Sequence, residues 1–290
     1  MTRLREDDID PISGSLPSYD ADLKQRTGLS LRQVACRAAG VGEADLDLRL
    51  LEITVAAVPV TSGLGIIRGF SQAVATIVAH LGFRTFVTEH TDEAGMTEGV
   101  ERGGDILMLA DDERYFAISS AGPELVDNAR ATAQGFVAGL EAMHGGVRGE
   151  QVLVLGCCPV GMAASETLML KGAKVRLFDT NRERTLGAVG RLTQEDSEEV
   201  RVEEDGLSAM DRYALVFDAT NTGGFIEPHH LTAQTLVAAP GMPCALTPEA
   251  LAENRDRVLH DALEIGTATM VVQAALKLAG NAKRGEAGKG

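Results

Sequence analysis

Gln151-Val-Leu-Val-Leu-Gly-Cys-Cys-Pro-Val-Gly-Met-Ala-Ala164, continuing to Leu177-Phe178-Asp179, reads as a strand, a glycine turn, a helix and a second strand ending in a carboxylate. Apolar Val152 to Leu155 suit a buried strand, and Gly156 permits the tight turn. Gly161, with Ala163 and Ala164, lets the helix lie close to the sheet. The helix N-terminus then faces a pyrophosphate, with Gly156, Cys158, Pro159, Val160 and Gly161 forming the loop around it. Asp179 lies 23 residues after Gly156, where a carboxylate accepts hydrogen bonds from the adenosine ribose. That favours NAD over NADP, although Arg182 and Arg184 stand close enough to pair with a 2′-phosphate. Cys158 departs from Gly-x-Gly-x-x-Gly: it occupies the second glycine position, where a Cβ crowds the phosphates. An ordinary βαβ turn without a nucleotide is the alternative reading.

Downstream, strand and helix patterns alternate over 174–178, 182–190, 213–218, 235–239, 247–254 and 267–279. Such alternation implies an α/β fold with a Rossmann-like, doubly wound parallel sheet. The helical pattern of 124–143, after Pro123 and before Gly145-Gly146, reads as a connector. It divides the chain into 1–125 and 126–290, with 281–290 expected to be disordered. The upstream part reads as a second α/β domain with strands at 51–60, 84–88, 105–110 and 115–118 and helices at 66–81 and 93–102. Helices at 18–26 and 31–39 precede it, too short to stand alone without a surface to pack on.

Composition narrows the function classes. The 290 residues carry a net charge of −15, and the 27 Lys and Arg are scattered, which disfavours nucleic acid. No run approaches the ~20 uncharged apolar residues of a membrane span, and the N-terminus lacks the apolar stretch of a signal peptide, so a cytoplasmic protein is expected. Cys36, Cys157, Cys158 and Cys244 show no C-x-x-C spacing, and the 6 histidines no ligand spacing; a metal site is not expected. Walker and Gly-x-Ser-x-Gly motifs are absent.

Ligands of open α/β sheets sit beyond the C-terminal strand ends. Thr61-Ser62-Gly63-Leu64-Gly65 follows the first strand; its hydroxyls and backbone suit a carboxylate or phosphate, or equally a helix cap. Asp111-Asp112 suits a cationic amine, or equally a solvated turn. Asp218-Ala219-Thr220-Asn221 and Pro240-Gly241-Met242-Pro243-Cys244 follow later strands, on the nicotinamide side. Thr267 opens the last helix, where its hydroxyl serves the cofactor, a cap, or both.

Four segments together resemble a known family: Val58 to Ile67 with Phe70-Ser71, Leu107 to Asp112, Pro240 to Ala245, and Ile265 to Met270. They are similar to the pyrroline-forming dehydrogenases of pyrrolysine biosynthesis, the PylD family. The resemblance implies an NAD-dependent amine dehydrogenase acting on a dipeptide-like amine, L-lysine-Nε-(3-methyl-D-ornithine), with ammonia loss and ring closure. It also implies a homodimer embraced by the N-terminal helices. By the same resemblance, Thr61, Ser62, Gly63, Ile66, Phe70, Ala110, Asp111 and Asp112 face substrate, with Asp111 and Ser62 the catalytic pair. Cofactor contacts fall to the glycine loop, Asp179, Ala219, Thr220, Pro240, Gly241 and Thr267. Another NAD(P)-dependent amino-acid or imine oxidoreductase, and a non-catalytic NAD(H) sensor, stay open as alternatives.

Overall fold

Short apolar runs buried on both faces pair in parallel when helices cover both sides, and 151–155 is the clearest such run. Val152 to Leu155 are at most 2% exposed, and burial of each side chain stabilises by roughly 1.5–3 kcal/mol. The computed structural model describes residues 4–50, 53–120, 122, 124–193 and 199–287. Contacts gather the chain into two units, Met1–Asp22 with Ser30–Gly135 and Ala262–Gly290, and Leu23–Leu29 with Phe136–Asp261.

The first unit opens with α1 (Glu6–Ile9), α2 (Ile12–Thr27), α3 (Leu31–Ala39) and α4 (Glu43–Leu50). Then follow β1 (Thr54–Val58), α5 (Phe70–His80), β2 (Arg84–Val87), α6 (Asp92–Glu101), β3 (Ile106–Ala110), β4 (Tyr115–Ser119), β5 (Leu125–Asp127) and the first part of α7 (Asn128–His144), whose residues from Phe136 belong to the second unit. The sheet order is β2-β1-β3-β4-β5. β1 runs parallel to both neighbours, whereas β4 is antiparallel to β3 and β5. Val58 pairs with Leu109 and Ala110 with Tyr115, so the ends of β1 and β3 and the start of β4 share one edge. Ala56, Val58, Leu107 and Leu109 form the core beneath it, covered by Phe86, Met96 and Phe116.

The second unit holds β6 (Gln151–Leu155), α8 (Pro159–Leu170), β7 (Lys174–Phe178), α9 (Arg182–Leu192), β8 (Val200–Val202) and β9 (Leu215–Asp218). β10 (Leu236–Ala238), α10 (Pro248–Glu253) and β11 (Val258–Leu259) complete it. All its pairings are parallel, in the order β11-β10-β9-β6-β7-β8. This is the expected doubly wound arrangement: the chain winds outward from β6 in one direction, then restarts at β9 in the other. Leu155 pairs with both Phe178 and Asp218, which places the reversal point at the Gly156 turn. The last helix, α11 (Glu264–Ala287), returns to the first unit and packs on α3, α5 and β4. Of the short N-terminal helices, α3 and α4 pack on α11 and α1 on α5, while Leu23–Leu29 at the end of α2 group with the second unit.

Several boundaries differ from the sequence reading. α2 begins at Ile12 rather than Ser18 because Ile12, Leu16 and Leu23, all at most 3% exposed, form one buried stripe across Pro17. α5 begins at Phe70 instead of Ile66, since Gly63, Gly65 and Gly69 adopt left-handed conformations that hold 61–69 as a loop. The connector helix begins at Asn128: Leu125–Asp127 pairs with β4, and Asp127 Oδ1 accepts from Ala129 N at 3.0 Å. Contacts place α11 and the start of α7 with the first unit, unlike the division at 125/126. Residues 281–287, expected to be disordered, continue α11, in keeping with the helix-forming Ala, Lys, Arg and Glu there; 288–290 lie outside the described residues. So do Leu51 and Glu52 of the expected first strand.

Candidate active site

At the edge of the second unit, Gly156 turns with φ +90°, and a Cβ on it would meet the Ala219 carbonyl group at 3.1 Å. A Cβ on Gly161 would lie 2.0 Å from Gly156 O and 3.3 Å from Ala219 Cβ. The two glycines thus let α8 start directly above the junction of β6 and β9. Cys158 is the N-cap of α8, with φ −75°, an ordinary conformation for an L-residue. Its thiol donates to Ala219 O at 3.1 Å. Asn181 and Thr247 cap α9 and α10 with side-chain acceptors, but no side chain caps α8. Its first-turn N–H groups lack the side-chain acceptor that α9 and α10 have, as do those of α5 and α6.

Asp179 ends β7. Its Oδ2 accepts from Cys157 N at 3.0 Å and its Oδ1 from Asn181 N at 2.9 Å, so the carboxylate ties the glycine turn to the next strand's end. Burial, with Asp179 alongside, pushes the Cys157 thiol up to about 11, which keeps it protonated and a poor nucleophile. Arg182 forks onto Glu204 at 2.9 and 3.2 Å. Ala219 and Thr220 follow β9, and Pro240 and Gly241 follow β10. Gly241 N donates to Asp218 O at 3.3 Å, and a Cβ on Gly241 would strike Thr220 O at 2.3 Å. Of the residues assigned to the cofactor, the fold therefore gathers Gly156, Cys158, Pro159, Val160, Gly161, Asp179, Ala219, Thr220, Pro240 and Gly241 at one sheet edge. Thr267 belongs to the first unit, fully buried, its Oγ1 3.1 Å from Tyr115 OH.

The edge of the first unit carries the residues assigned to substrate. Thr61 is anchored: Asp92, at a left-handed φ of 54°, accepts from Thr61 N at 2.8 Å and from Thr61 Oγ1 at 2.6 Å. These bonds hold the Asp92 carboxyl below its ordinary range. At the loop's other end Asp112 Oδ2 accepts from Leu64 N, and a Cβ on Gly63 would overlap the Asp112 carboxylate. Ser62 is exposed between these tethers, followed by Leu64 and Ile66, 78% and 49% exposed. Phe70, at the start of α5, meets Tyr115 edge-on with centroids 5.4 Å apart. Asp111 Oδ1 accepts from Glu113 N at 2.8 Å and Arg114 N at 2.7 Å, closing the turn that follows Ala110.

The two acids thus have different structural duties: Asp111 shapes its own turn, and Asp112 latches the Ser62 loop. Asp111→Asn keeps the Oδ1 acceptor and is expected to leave the melting temperature unchanged while lowering turnover at least ~10-fold through loss of charge toward a substrate amine. Asp112→Ala is expected to lower kcat/KM, with part of the loss in kcat, and to lower Tm by a few degrees, about 1 kcal/mol, through loosening of the loop. Full activity in folded Asp111→Asn would leave that residue a turn former only. Asp92 and Tyr115 are not among the residues the sequence singles out. Asp218 enters there only as the first residue of the 218–221 edge, and it ends an apolar strand at the reversal point.

Residues 8–125 match the family model of the pyrrolysine biosynthesis protein PylD, N-terminal domain. The pyrrolysine synthases of Methanosarcina acetivorans and Methanosarcina barkeri are each 27% identical, over 93% of this chain and 98% and 97% of their own lengths. The chain is thus similar to PylD in its N-terminal part and to pyrrolysine synthases over nearly its whole length. Among solved structures, the bifunctional methylenetetrahydrofolate dehydrogenase/cyclohydrolase FolD of Campylobacter jejuni superposes with a TM-score of 0.55 at 12% identity, covering 89% of this chain and 98% of that one. Quinate dehydrogenase of Corynebacterium glutamicum in complex with NAD gives 0.51 at 16% identity, covering 79% and 94%. These likenesses show the fold alone, a Rossmann-like α/β architecture. Among the described residues, no helix is long and apolar enough to cross a membrane, and no three His, Cys, Asp or Glu side chains are grouped to hold a metal ion.

Proposed function

We propose that the protein is an NAD-dependent amine dehydrogenase that forms pyrrolysine from L-lysine-Nε-(3-methyl-D-ornithine). The observation that carries this reading is the near full-length match to pyrrolysine synthases, joined to a glycine turn at the reversal point of a doubly wound sheet. The residues present fit a dinucleotide: a Cβ would fill the cradle at Gly156 and Gly161, and α8 has no side-chain cap. Bound there, NAD supplies a hydride acceptor for the carbon bearing the substrate's terminal amine. Asp179 faces the ribose in this reading and favours NAD, and Arg182, held by Glu204, is drawn away from a 2′-phosphate.

The chain's own residues bind and orient. The Ser62 hydroxyl and the 63–65 backbone fix the substrate's polar ends, and the Asp111 carboxylate takes an ammonium or amide. Hydride leaves a carbon readily only when the neighbouring nitrogen lone pair is free, so the reacting amine binds neutral, out of water. The oxidised substrate carbon is then attacked by the ornithine α-amino group, ammonia leaves, and the ring closes by proximity. A homodimeric, cytoplasmic enzyme acting on this small molecule completes the proposal. With this substrate, NADH, ammonia and cyclic product are expected in equal amounts. NADH without ammonia would replace amine by alcohol oxidation, and cofactor binding without any turnover would leave an NAD(H) sensor. NADP bound as tightly as NAD would remove Asp179 from the ribose.

A further inference from the structure

Asp218 is completely buried at the end of β9, and its Oδ2 has no hydrogen-bond partner. Oδ1 accepts from Thr220 N at 3.1 Å. The residue's own carbonyl receives Gly241 N at 3.3 Å, while Oδ2 lies 2.9 Å from the place a Gly241 Cβ would take. One side chain therefore underlies both loops that border the glycine turn, 219–222 and 240–244. We propose that Asp218 is a positioning residue: its buried carboxyl seats the 219–222 turn beside Gly241, and ionisation, which leaves a buried charge with one partnerless oxygen between the two loops, disturbs their seating and weakens dinucleotide binding. The part concerning the dinucleotide rests on the cofactor reading above.

A carboxylate without a counter-ion is unstable in such a place. The titratable groups on the surrounding elements are Cys157 and Cys158 of the glycine turn, Asp179 after β7, Cys244 after β10, and His260 and Asp261 after β11. None of them supplies a compensating charge: burial dominates, the two bonds from Thr220 oppose it only in part, and the carboxyl is pushed up to about 7. Because the folded-state value is raised, protonation favours the fold at low pH. That contribution is lost as pH rises from about 4, the unfolded value, through about 7.

The test compares wild type with Asp218→Asn, which keeps the Oδ1 acceptor and cannot ionise. Wild-type NADH affinity is expected to weaken about tenfold between pH 6 and pH 8, and that of the variant to change less than twofold. In the cofactor-free protein, an infrared carboxylic-acid band absent from the variant should disappear as pH rises through about 7. The melting temperature of Asp218→Asn minus that of wild type should increase from pH 5 to pH 8. A flat wild-type affinity, or the same slope in both proteins, would overturn the role in binding; absence of the band would overturn the protonated carboxyl itself. If wild type binds no NADH at any pH, the cofactor reading falls instead, and the band and the melting difference still decide whether Asp218 seats the turn.

Discussion

Gly161→Ala is expected to weaken NADH binding by at least ~100-fold, although it adds only one methyl group. The added carbon would sit 2.0 Å from Gly156 O, deep inside contact distance, and 3.3 Å from Ala219 Cβ. The first obstacle is backbone at the start of the turn, so no rotamer change relieves it; either α8 moves off the sheet or the Gly156 turn opens. Overpacking against movable side chains already costs about 1–3 kcal/mol, and this site has less freedom. Both escapes displace the helix start that the cofactor reading assigns to the pyrophosphate, so affinity and Tm should fall together. Gly187→Ala is the control: it also lies in a helix, α9, but nothing stands within 4 Å of the added carbon. There the change should stabilise by roughly 0.5–1 kcal/mol and leave NADH binding unaltered. Binding by Gly161→Ala within threefold of wild type would show that the turn is not the cradle.

The legible parts of this fold were those with a local cause. The βαβ unit of 151–179 declares itself through a fully apolar strand, a glycine whose left-handed turn is unavoidable, and small residues where helix meets sheet; the register of Leu155 against Phe178 and Asp218 follows. Helix starts behaved less well because their signals compete. Asp127 reads as part of a helical run yet caps it after pairing in a strand, and Pro17 hides a stripe whose burial depends on partners distant in sequence. The candidate site divides along the same line. Thr61, Ser62, Asp111 and Asp112 are recognisable as polar residues at strand ends, but their division of labour depends on Asp92, which lies 31 residues from Thr61. No spacing rule links those two. Asp218 shows the converse: its position was visible, whereas the missing partner of its Oδ2 is a property only of the packed structure.

The second large effect follows from the proposed function and concerns the remote half of the proposed substrate. Free D-ornithine and free lysine are expected to show kcat/KM at least ~10³-fold below that of the lysine-linked methyl-ornithine, with much of the loss in kcat. Contacts far from the reacting carbon supply the free energy that orients it and offsets the cost of desolvating a neutral amine, so truncation removes positioning together with binding. The Ser62 loop suits such a task. It is pinned at Thr61 by Asp92 and at Leu64 by Asp112, so a polar group bound between the pins is held by a preorganised element instead of ordering a loose one. A coupled measurement separates the contributions: if the loop positions the substrate, Asp112→Ala should reduce kcat for the full substrate more than for free ornithine, because the fragment has less positioning to lose. Equal kcat/KM for ornithine and the full substrate would preserve amine oxidation while removing the pyrrolysine assignment, since the lysine half would then contribute nothing to recognition. Parallel losses on both substrates in Asp112→Ala would confine the latch to holding the fold together.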